Sequence, residues 1–312
     1  MKKFLLIATI TPFLSFANKS DSSLDKYHYI ISQWILDKTD LVDRYLSDIH
    51  DTKKENHTTI DISIEFGKFT RTDSLYHNVD FSIHLDLPRL KNKLKLTLEK
   101  VSKNSTLLNK NREKLLSKSS DNSDEGYNLA LSYAPWDKRR FFVSFDGGVR
   151  FDNYFIEPYV GILSGYKIKK SKKVEANVRN SLRFYLAGEV KDLLLGEYFY
   201  KYNENVVLGW MGSFVYSSEQ STQSISTEFF ALRLLNKDSF ARVGFISNFH
   251  LHNFKNPKKD DFELYFKYHN KLLNKKWLYY EITPSLNWKR KDNYKTSVGL
   301  KVKIGATFGA VK

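Results

Sequence analysis

The sequence predicts an all-β fold: a closed, up-and-down antiparallel transmembrane β-barrel of roughly 12–14 strands with an N-terminal amphipathic helix. Segments in which apolar and polar residues alternate with a period of two recur along the chain, and the last of them ends close to the C-terminus. Aromatic residues are abundant, with 19 Tyr and 23 Phe among 312 residues, as in strands and in interfacial belts. Mean hydropathy is negative, which argues against a helical membrane protein but not against a barrel, because only every second strand residue faces lipid.

Residues 1–17 have the features of a secretory signal peptide. Lys2 and Lys3 precede an apolar run, and Ser15 and Ala17 supply the small side chains of a cleavage site. We expect cleavage after Ala17 and export to the outer membrane of a Gram-negative bacterium. The chain contains no Cys, which excludes disulfides, a lipid-anchored cysteine and thiol chemistry.

Residues 18–57 form the second predicted unit, an amphipathic helix followed by a polar linker. Apolar residues recur at spacings of three and four between Ser22 and Asp48, and Ser22 is a suitable N-cap. The apolar stripe needs a partner, which is the barrel interior, the periplasmic rim or another chain. Helical spacing does not distinguish a plug from a packing helix.

Residues 58–312 form the predicted barrel. If the helix is periplasmic, the turns on its side are short and the outward loops, led by Ser102 to Gly126, are mostly longer. Pro158 and Pro284 lie inside predicted strands, and a strand break at either would reduce the count to about twelve. Strands are predicted near 60–67, 79–87, 94–98, 127–134, 140–152, 154–168, 174–187, 195–202, 205–217, 224–235, 239–251, 261–269, 276–288 and 296–308.

The segment from Thr296 to Phe308 shows the alternation most clearly. Apolar residues occupy the even positions from Val298 to Phe308, whereas glycine, lysine and threonine occupy the odd positions from Gly299 onward. The segment slightly exceeds the roughly 9–11 residues with which a tilted strand crosses a bilayer. A soluble β-sandwich or lipocalin-like barrel would show the same alternation with its apolar face turned inward. The signal peptide, the number of strands, the loop pattern and the final aromatic favour the membrane barrel.

The inward-facing charges are nearly balanced, so they predict one of two interiors. Either the charges pair and help to close the barrel, or they separate into opposing walls of a hydrophilic channel. Arg150, Arg179 and Arg183 are candidates for a basic wall, and the polar side chains between Asp80 and Asp86 for the opposing wall. The candidate lumen-lining residues are Asp80, His84, Asp86, Asp146, Arg150, Glu157, Arg179, Arg183, Lys201, Arg242, Glu263, Lys267, Glu281, Lys301 and Lys303.

Aromatic residues near strand ends are predicted to form interfacial girdles, because their amphipathic rings favour the headgroup level of a bilayer. These candidates are Tyr198, Tyr200, Trp210, Tyr216, Trp277, Tyr280, Trp288 and Phe308.

Three segments carry a resemblance to known proteins: Leu85-Asp86-Leu87-Pro88-Arg89, Trp277 to Pro284, and the final strand through Gly309. With them, the whole mature chain resembles porin-like outer-membrane β-barrel proteins of Gram-negative bacteria, and in particular an uncharacterised group of that class. The resemblance implies fold and location and no specific activity. The final strand departs from the usual pattern because four residues follow Phe308.

The predicted function is passive passage of small polar solutes. The alternatives are a structural or interaction barrel, a transporter of hydrophobic molecules with the helix as a hatch, and a hydrolase. Ser82, His84, His250 and His252 lack a nucleophile elbow or a metal-binding motif, so we expect no enzyme, cofactor or metal. The expected partners are outer-membrane lipid, lipopolysaccharide, and the barrel-assembly machinery through the C-terminal strand. The net charge of +15 does not indicate nucleic-acid binding, because the signal peptide directs the chain out of the cytoplasm.

Overall fold

The computed structural model describes residues 21–47, 56–71, 75–87, 94–102, 125–137, 140–152, 155–168, 171, 173–218, 222–252, 255–273 and 275–310. The predicted signal peptide lies outside these residues. No helix in the described part of the chain is both long and apolar enough to cross a membrane.

The described residues form one long helix, fourteen strands and a short 3-10 turn at Arg290–Asp292. The helix is α1 (Asp21–Ser47). The strands are β1 (Thr59–Phe69), β2 (Tyr76–Asp86), β3 (Leu94–Ser102), β4 (Glu125–Asp137), β5 (Phe141–Asp152), β6 (Phe155–Ile168), β7 (Val174–Tyr185), β8 (Val190–Lys201), β9 (Val206–Ser217), β10 (Thr222–Leu234), β11 (Phe240–His252), β12 (Lys255–Lys271), β13 (Leu278–Lys289) and β14 (Thr296–Gly309).

Each strand pairs antiparallel with its neighbours in the sequence, and the hydrogen-bonded order closes into a barrel. Closure is made by β1, which pairs with β2 on one side and with β14 on the other. The β1–β14 ladder runs from Thr59 opposite Gly309 to Phe69 opposite Gly299. With an even number of strands, the start of β1 and the end of β14 lie at the same end of the barrel, which α1 also contacts. We call it the helix-bearing end.

The two faces of the barrel are inverted relative to a soluble protein. On β14, Val298 and Ile304 are 51% and 47% exposed on the outside, whereas Lys303 is only 4% exposed on the inside. On β1, Ile64 is exposed and the adjacent Glu65 is buried. A soluble barrel would bury the apolar set and expose the charged set. The soluble alternative is therefore inconsistent with the observed orientation of the strands.

Neither proline breaks a strand. The Pro158 carbonyl accepts the Leu186 amide hydrogen just after β7 ends. Because the N–H and C=O of one strand residue point to the same side, the nitrogen of Pro158 also faces this turn and not a strand. Pro284 lies where the β12–β13 ladder is interrupted between Tyr265 and Tyr268, and the ladder resumes beyond it in the same register. The missing amide hydrogens therefore fall where no ladder bond is needed, and the strand count stays at the upper end of the prediction.

The predicted alternation of short and long loops is wrong over most of the barrel. Of the expected loop at 252–260, every described residue lies in a strand, because β12 begins at Lys255, and the expected loop at 219–223 overlaps the start of β10 at Thr222. Lys258 and Lys259 continue the backbone ladder with β11 despite their polar side chains. The connection between β3 and β4 remains the long one.

Helix α1 docks on the barrel mainly through hydrogen bonds of His28 and Ser32 rather than through the predicted apolar stripe. His28 Nε2 lies 2.8 Å from the Thr307 carbonyl oxygen, and the Gly309 amide donates to Ser32 Oγ at 3.0 Å. Of the predicted stripe, Ile35 is buried, whereas Trp34 is exposed. These contacts place the helix at the end of β14.

Asp25 adds a charged contact between α1 and the β12–β13 turn. It accepts hydrogen bonds from Lys275 and from the Trp277 indole at 3.0 Å, and these bonds, with that from Lys275 the largest cause, hold the pKa of Asp25 below its usual value of 3.8. Since the docked state has the lower pKa, this contribution to docking is complete above pH 3.8 and is lost as pH falls through the lowered pKa. His28 is the other titratable group on α1 beside this contact.

Docking of α1 is therefore expected to weaken in acid below pH 3.8. The measurement is the fluorescence anisotropy of a dye on a Gln33→Cys variant in detergent, which should fall as the helix loosens. In an Asp25→Asn background the fall below pH 4 should disappear, because the titrating carboxyl is gone. An unchanged acid transition in that background would assign it to other groups.

Candidate functional site: the polar interior

The interior of the barrel is lined by charged side chains that strand alternation turns away from the outside. Glu228 is fully buried and Arg183 is 1% exposed, as deeply as apolar core residues in ordinary proteins. A buried charge costs several kcal/mol unless a counter-charge and hydrogen bonds compensate for it. The contacts of these charges therefore determine what the interior can do.

One group of charges occupies the half of the barrel away from α1, on β5 to β8. Arg183 Nε donates to Asp146 Oδ2 at 3.2 Å, and its guanidinium lies 4.6 Å from the Tyr159 ring centre. Gly161 stands between the two charged residues, opposite Asp146 on β5 and opposite Arg183 on β7. A Cβ at Gly161 would lie 2.5 Å from Asp146 Oδ1, so the ion pair closes across β6 because this residue is glycine.

Arg150 occupies the same half of the interior and contacts two carboxylates. It forms an ion pair with Glu157 and lies 3.4 Å from Glu189, and its guanidinium stacks 4.6 Å from the Tyr185 ring centre. Glu189 also binds Lys191 at 3.2 Å and accepts a hydrogen bond from the Ser217 hydroxyl.

Glu189 and Lys191 were missed from the sequence. They fall in the segment expected to be a loop, whereas β8 already begins at Val190. Leu193 and Leu195 also point inward, so the polar alternation that marks the other strands is absent here. No pattern in this part of the sequence distinguishes an inner face from an outer one.

Glu228 organises a second cluster, on β10 to β12. It forms an ion pair with Arg242 and accepts the Tyr265 hydroxyl hydrogen. The Arg242 guanidinium lies 3.6 Å from the centre of the Phe230 ring. Glu228 was also missed, although the outward alternation of Ile225 and Phe229 could have identified its position on the inner face.

A third set of pairs lies in the helix-bearing half. Lys303 Nζ donates to Asp80 Oδ2 at 2.8 Å. Glu281 contacts Lys267 at 3.4 Å and His269 at 3.3 Å. Arg179 contacts Glu197 at 3.5 Å in a separate pair on β7 and β8.

The basic wall suggested by the sequence is not formed. Arg150, Arg179 and Arg183 each contact at least one carboxylate, so no uncompensated positive strip remains among them. Spacing along a strand identified the arginines as inward-facing, but their partners come from other strands, one to three strands away. The interior therefore follows the first of the two predicted outcomes, in which opposite charges pair.

The remaining lumen candidates divide by position. Glu263 and Lys301 are buried on the inner face, and His84 is half-buried. Lys201 is exposed, because it is the last residue of β8 at the helix-bearing end and extends beyond the buried interior. The side chain of Asp86 lies outside what the structure describes.

Most girdle candidates lie near the ends of the outer surface. Tyr200 and Tyr280 are close to the helix-bearing end, and Tyr216 and Trp288 are one residue from the strand ends at the opposite side. The Trp288 indole donates to Thr296 Oγ1 at 3.0 Å. The Trp210 indole likewise donates to Thr227 Oγ1 at 2.9 Å, and Tyr198 lies opposite Trp210 on the outer face.

Trp277 and Phe308 are exceptions among the girdle candidates, because α1 covers them in part. The His28 ring stacks on Trp277 at 4.4 Å and on Phe308 at 5.2 Å between ring centres. These two rings therefore connect the barrel to the helix. Within the described residues, no group of three or more His, Asp or Glu is placed to hold a metal ion.

Comparison with known proteins identifies the fold of the chain. No family model matches the chain, and no curated protein matches it in sequence. Among solved structures, in-vitro folded OmpT, an outer membrane protein of Vibrio cholerae, is similar with a TM-score of 0.51 and 6% identity, over 83% of this chain and 100% of that chain. A loop L8 deletion mutant of the same OmpT gives 0.50 and 7%, over 81% and 99%. The chain therefore has the fold of these outer-membrane β-barrel proteins.

Proposed function

We propose that the protein is an outer-membrane β-barrel channel for the passive passage of small polar solutes. The observation that carries the proposal is the inversion of the barrel, with apolar side chains outside and ion-paired charges such as Glu228 and Arg242 inside. A closed barrel with this arrangement matches a bilayer on its outside and water on its inside.

The outer surface supports the membrane part of the proposal. Exposed apolar residues recur on every second position of strands around the barrel, including Ile64, Val160, Phe245 and Leu300. A continuous apolar surface of this extent is not stable in water. The aromatic residues near both ends, with indole hydrogens satisfied at Trp210 and Trp288, suit the two interfaces of a bilayer.

The inner surface supports a passage rather than a filled core. Most of the interior ion pairs described above join neighbouring strands or strands two apart, and the longest, Arg150 to Glu189, spans from β5 to the start of β8, so these pairs follow the wall of the barrel. Aromatic rings also lie along the inner surface: Phe230 covers Gly209 and Tyr265 covers Gly244, where a Cβ would come within 3 Å of the ring. A barrel of about eight strands is filled by its own side chains and one of about 16–18 leaves a water channel, so fourteen strands lie close to the open class.

Because the interior charges are paired with nearby opposite charges, we expect a channel with weak ion selectivity. In planar bilayers with a KCl gradient, the purified protein should give conductance steps and a cation-to-anion permeability ratio within a factor of about three. Vesicles that contain the protein should swell in small sugars. Insertion without conductance or swelling would contradict the channel and support the alternative of a structural barrel, which the paired interior charges would also suit. Conductance that appears only after removal of residues 18–57 would mean that this segment blocks the barrel, which would contradict the position of α1 at the helix-bearing end.

Outer-membrane localisation, cleavage after Ala17, lipopolysaccharide binding and engagement of the barrel-assembly machinery are parts of the same proposal. The fold supports the localisation, and the N-terminal sequence pattern supports export and cleavage.

A further inference from the structure

Helix α1 presents three different sides, about 120° apart around its axis. The first side faces the barrel end and begins with His28 and Ser32, which contact Thr307 and Gly309. Buried residues continue along the same side of the helix as far as Asp43.

The second side of α1 is apolar and exposed. Along it, Tyr27, Ile31, Trp34, Leu41 and Tyr45 are all more than 40% exposed, and Tyr45 reaches 82%. A soluble amphipathic helix buries such a stripe against its own domain. Here the stripe lies about a third of a turn away from the docked side, so the barrel does not cover it.

The third side is polar. Lys26, Gln33, Asp37 and Arg44 are exposed along it, and Arg44 forms an ion pair with Asp40 at 2.7 Å. A helix with one side on protein, one apolar side and one charged side fits a position where protein, lipid and water meet.

The docked side of α1 contacts the edge of the apolar outer surface of the barrel. Phe308, on which His28 stacks, lies on the outward face of β14 together with Ile304 and Val298. Trp277, the other ring beside His28, also donates to Asp25 near the start of the helix. The contacts of α1 therefore hold it against the edge of the surface that meets lipid under the proposed function.

We propose that α1 is an interfacial helix that lies in the membrane surface beside the barrel, with its apolar side in the boundary between headgroups and acyl chains. The inference rests on the proposed function, because it requires the barrel to be in a bilayer. The helix then anchors the barrel end in the lipid instead of plugging the lumen. The lipid surface itself covers the apolar side of α1. Cover by a second copy of the chain or by a soluble partner is the alternative that lipid and aqueous quenching distinguish.

The test uses single cysteines, which are unique because the chain has none. Trp34→Cys and Leu41→Cys report on the apolar side, Gln33→Cys on the polar side, and Ile64→Cys on the outer surface of β1. Each variant is labelled with an environment-sensitive dye and reconstituted in phosphatidylethanolamine and phosphatidylglycerol vesicles, with or without bromine on the acyl chains. Quenching by aqueous iodide is measured in parallel, and the Gln33 variant is the matched control for labelling the helix.

We expect brominated lipid to reduce emission at positions 34, 41 and 64 by at least about twofold, whereas position 33 responds to iodide only. Quenching at 64 without quenching at 34 and 41 overturns the interfacial helix and leaves the membrane barrel intact. Protection of 34 and 41 from both quenchers overturns it as well, because a protein then covers the stripe. Absence of quenching at 64 overturns both the proposed function and this inference.

Discussion

Replacement of Glu228 by alanine is expected to lower the free energy of unfolding by about 3–5 kcal/mol. Glu228 is fully buried, pairs with Arg242 and accepts a hydrogen bond from Tyr265. Its removal leaves the buried Arg242 guanidinium, which lies over the Phe230 ring, without its counter-charge. The measurement is guanidinium-induced unfolding of the barrel in lipid vesicles, followed by tryptophan fluorescence.

Two control variants test whether the loss of stability comes from an unpaired buried charge rather than from the loss of any ion pair. Asp238 pairs with Lys271 at an exposed turn, so Asp238→Ala should cost less than about 1 kcal/mol. The double variant Glu228→Leu, Arg242→Met should recover most of the loss, because it removes both buried charges together. If Glu228→Ala were no more destabilising than Asp238→Ala, lumen water would be solvating Arg242 and the interior would be wetter than its burial indicates.

The alternation in the sequence predicted the fold and the direction of most charged side chains. It succeeded because successive side chains of a strand point to opposite faces, so the apolar set identifies the outer face and the charged set the inner one. It did not predict which charges meet. Asp146 reaches Arg183 two strands away, and this contact depends on the stagger of β5, β6 and β7 and on the glycine between them.

The helix illustrates a different limit of sequence analysis. Its apolar stripe was correctly identified as a stripe, but the assumption that apolar residues mark the docked side failed. A helix beside a membrane has two hydrophobic neighbours, protein and lipid, and periodicity does not distinguish them. The docked side is set instead by polar contacts of His28 and Ser32 with the end of β14.

Gly148→Ala is expected to destabilise the barrel by about 3 kcal/mol, near the upper end of overpacking effects. Gly148 faces inward on β5, and a Cβ there would lie 2.3 Å from the Leu129 carbonyl oxygen and 3.0 Å from the Tyr159 hydroxyl. The first contact is with backbone, so it can be relieved only by moving β4 away from β5 or by displacing the ladder between them.

The neighbouring glycine provides a matched control, because a Cβ at Gly147 meets nothing within 4 Å. Gly147→Ala should be neutral or slightly stabilising, by about 0.5 kcal/mol, since alanine restricts the unfolded chain more than glycine does. Both variants are compared by the same vesicle unfolding assay and by retention of the folded band in unheated gel electrophoresis. Equal stabilities of the two variants would mean that β4 and β5 separate at Gly148 without cost. The close approach of the two backbones beside Tyr159 would then contribute nothing to the stability of the barrel.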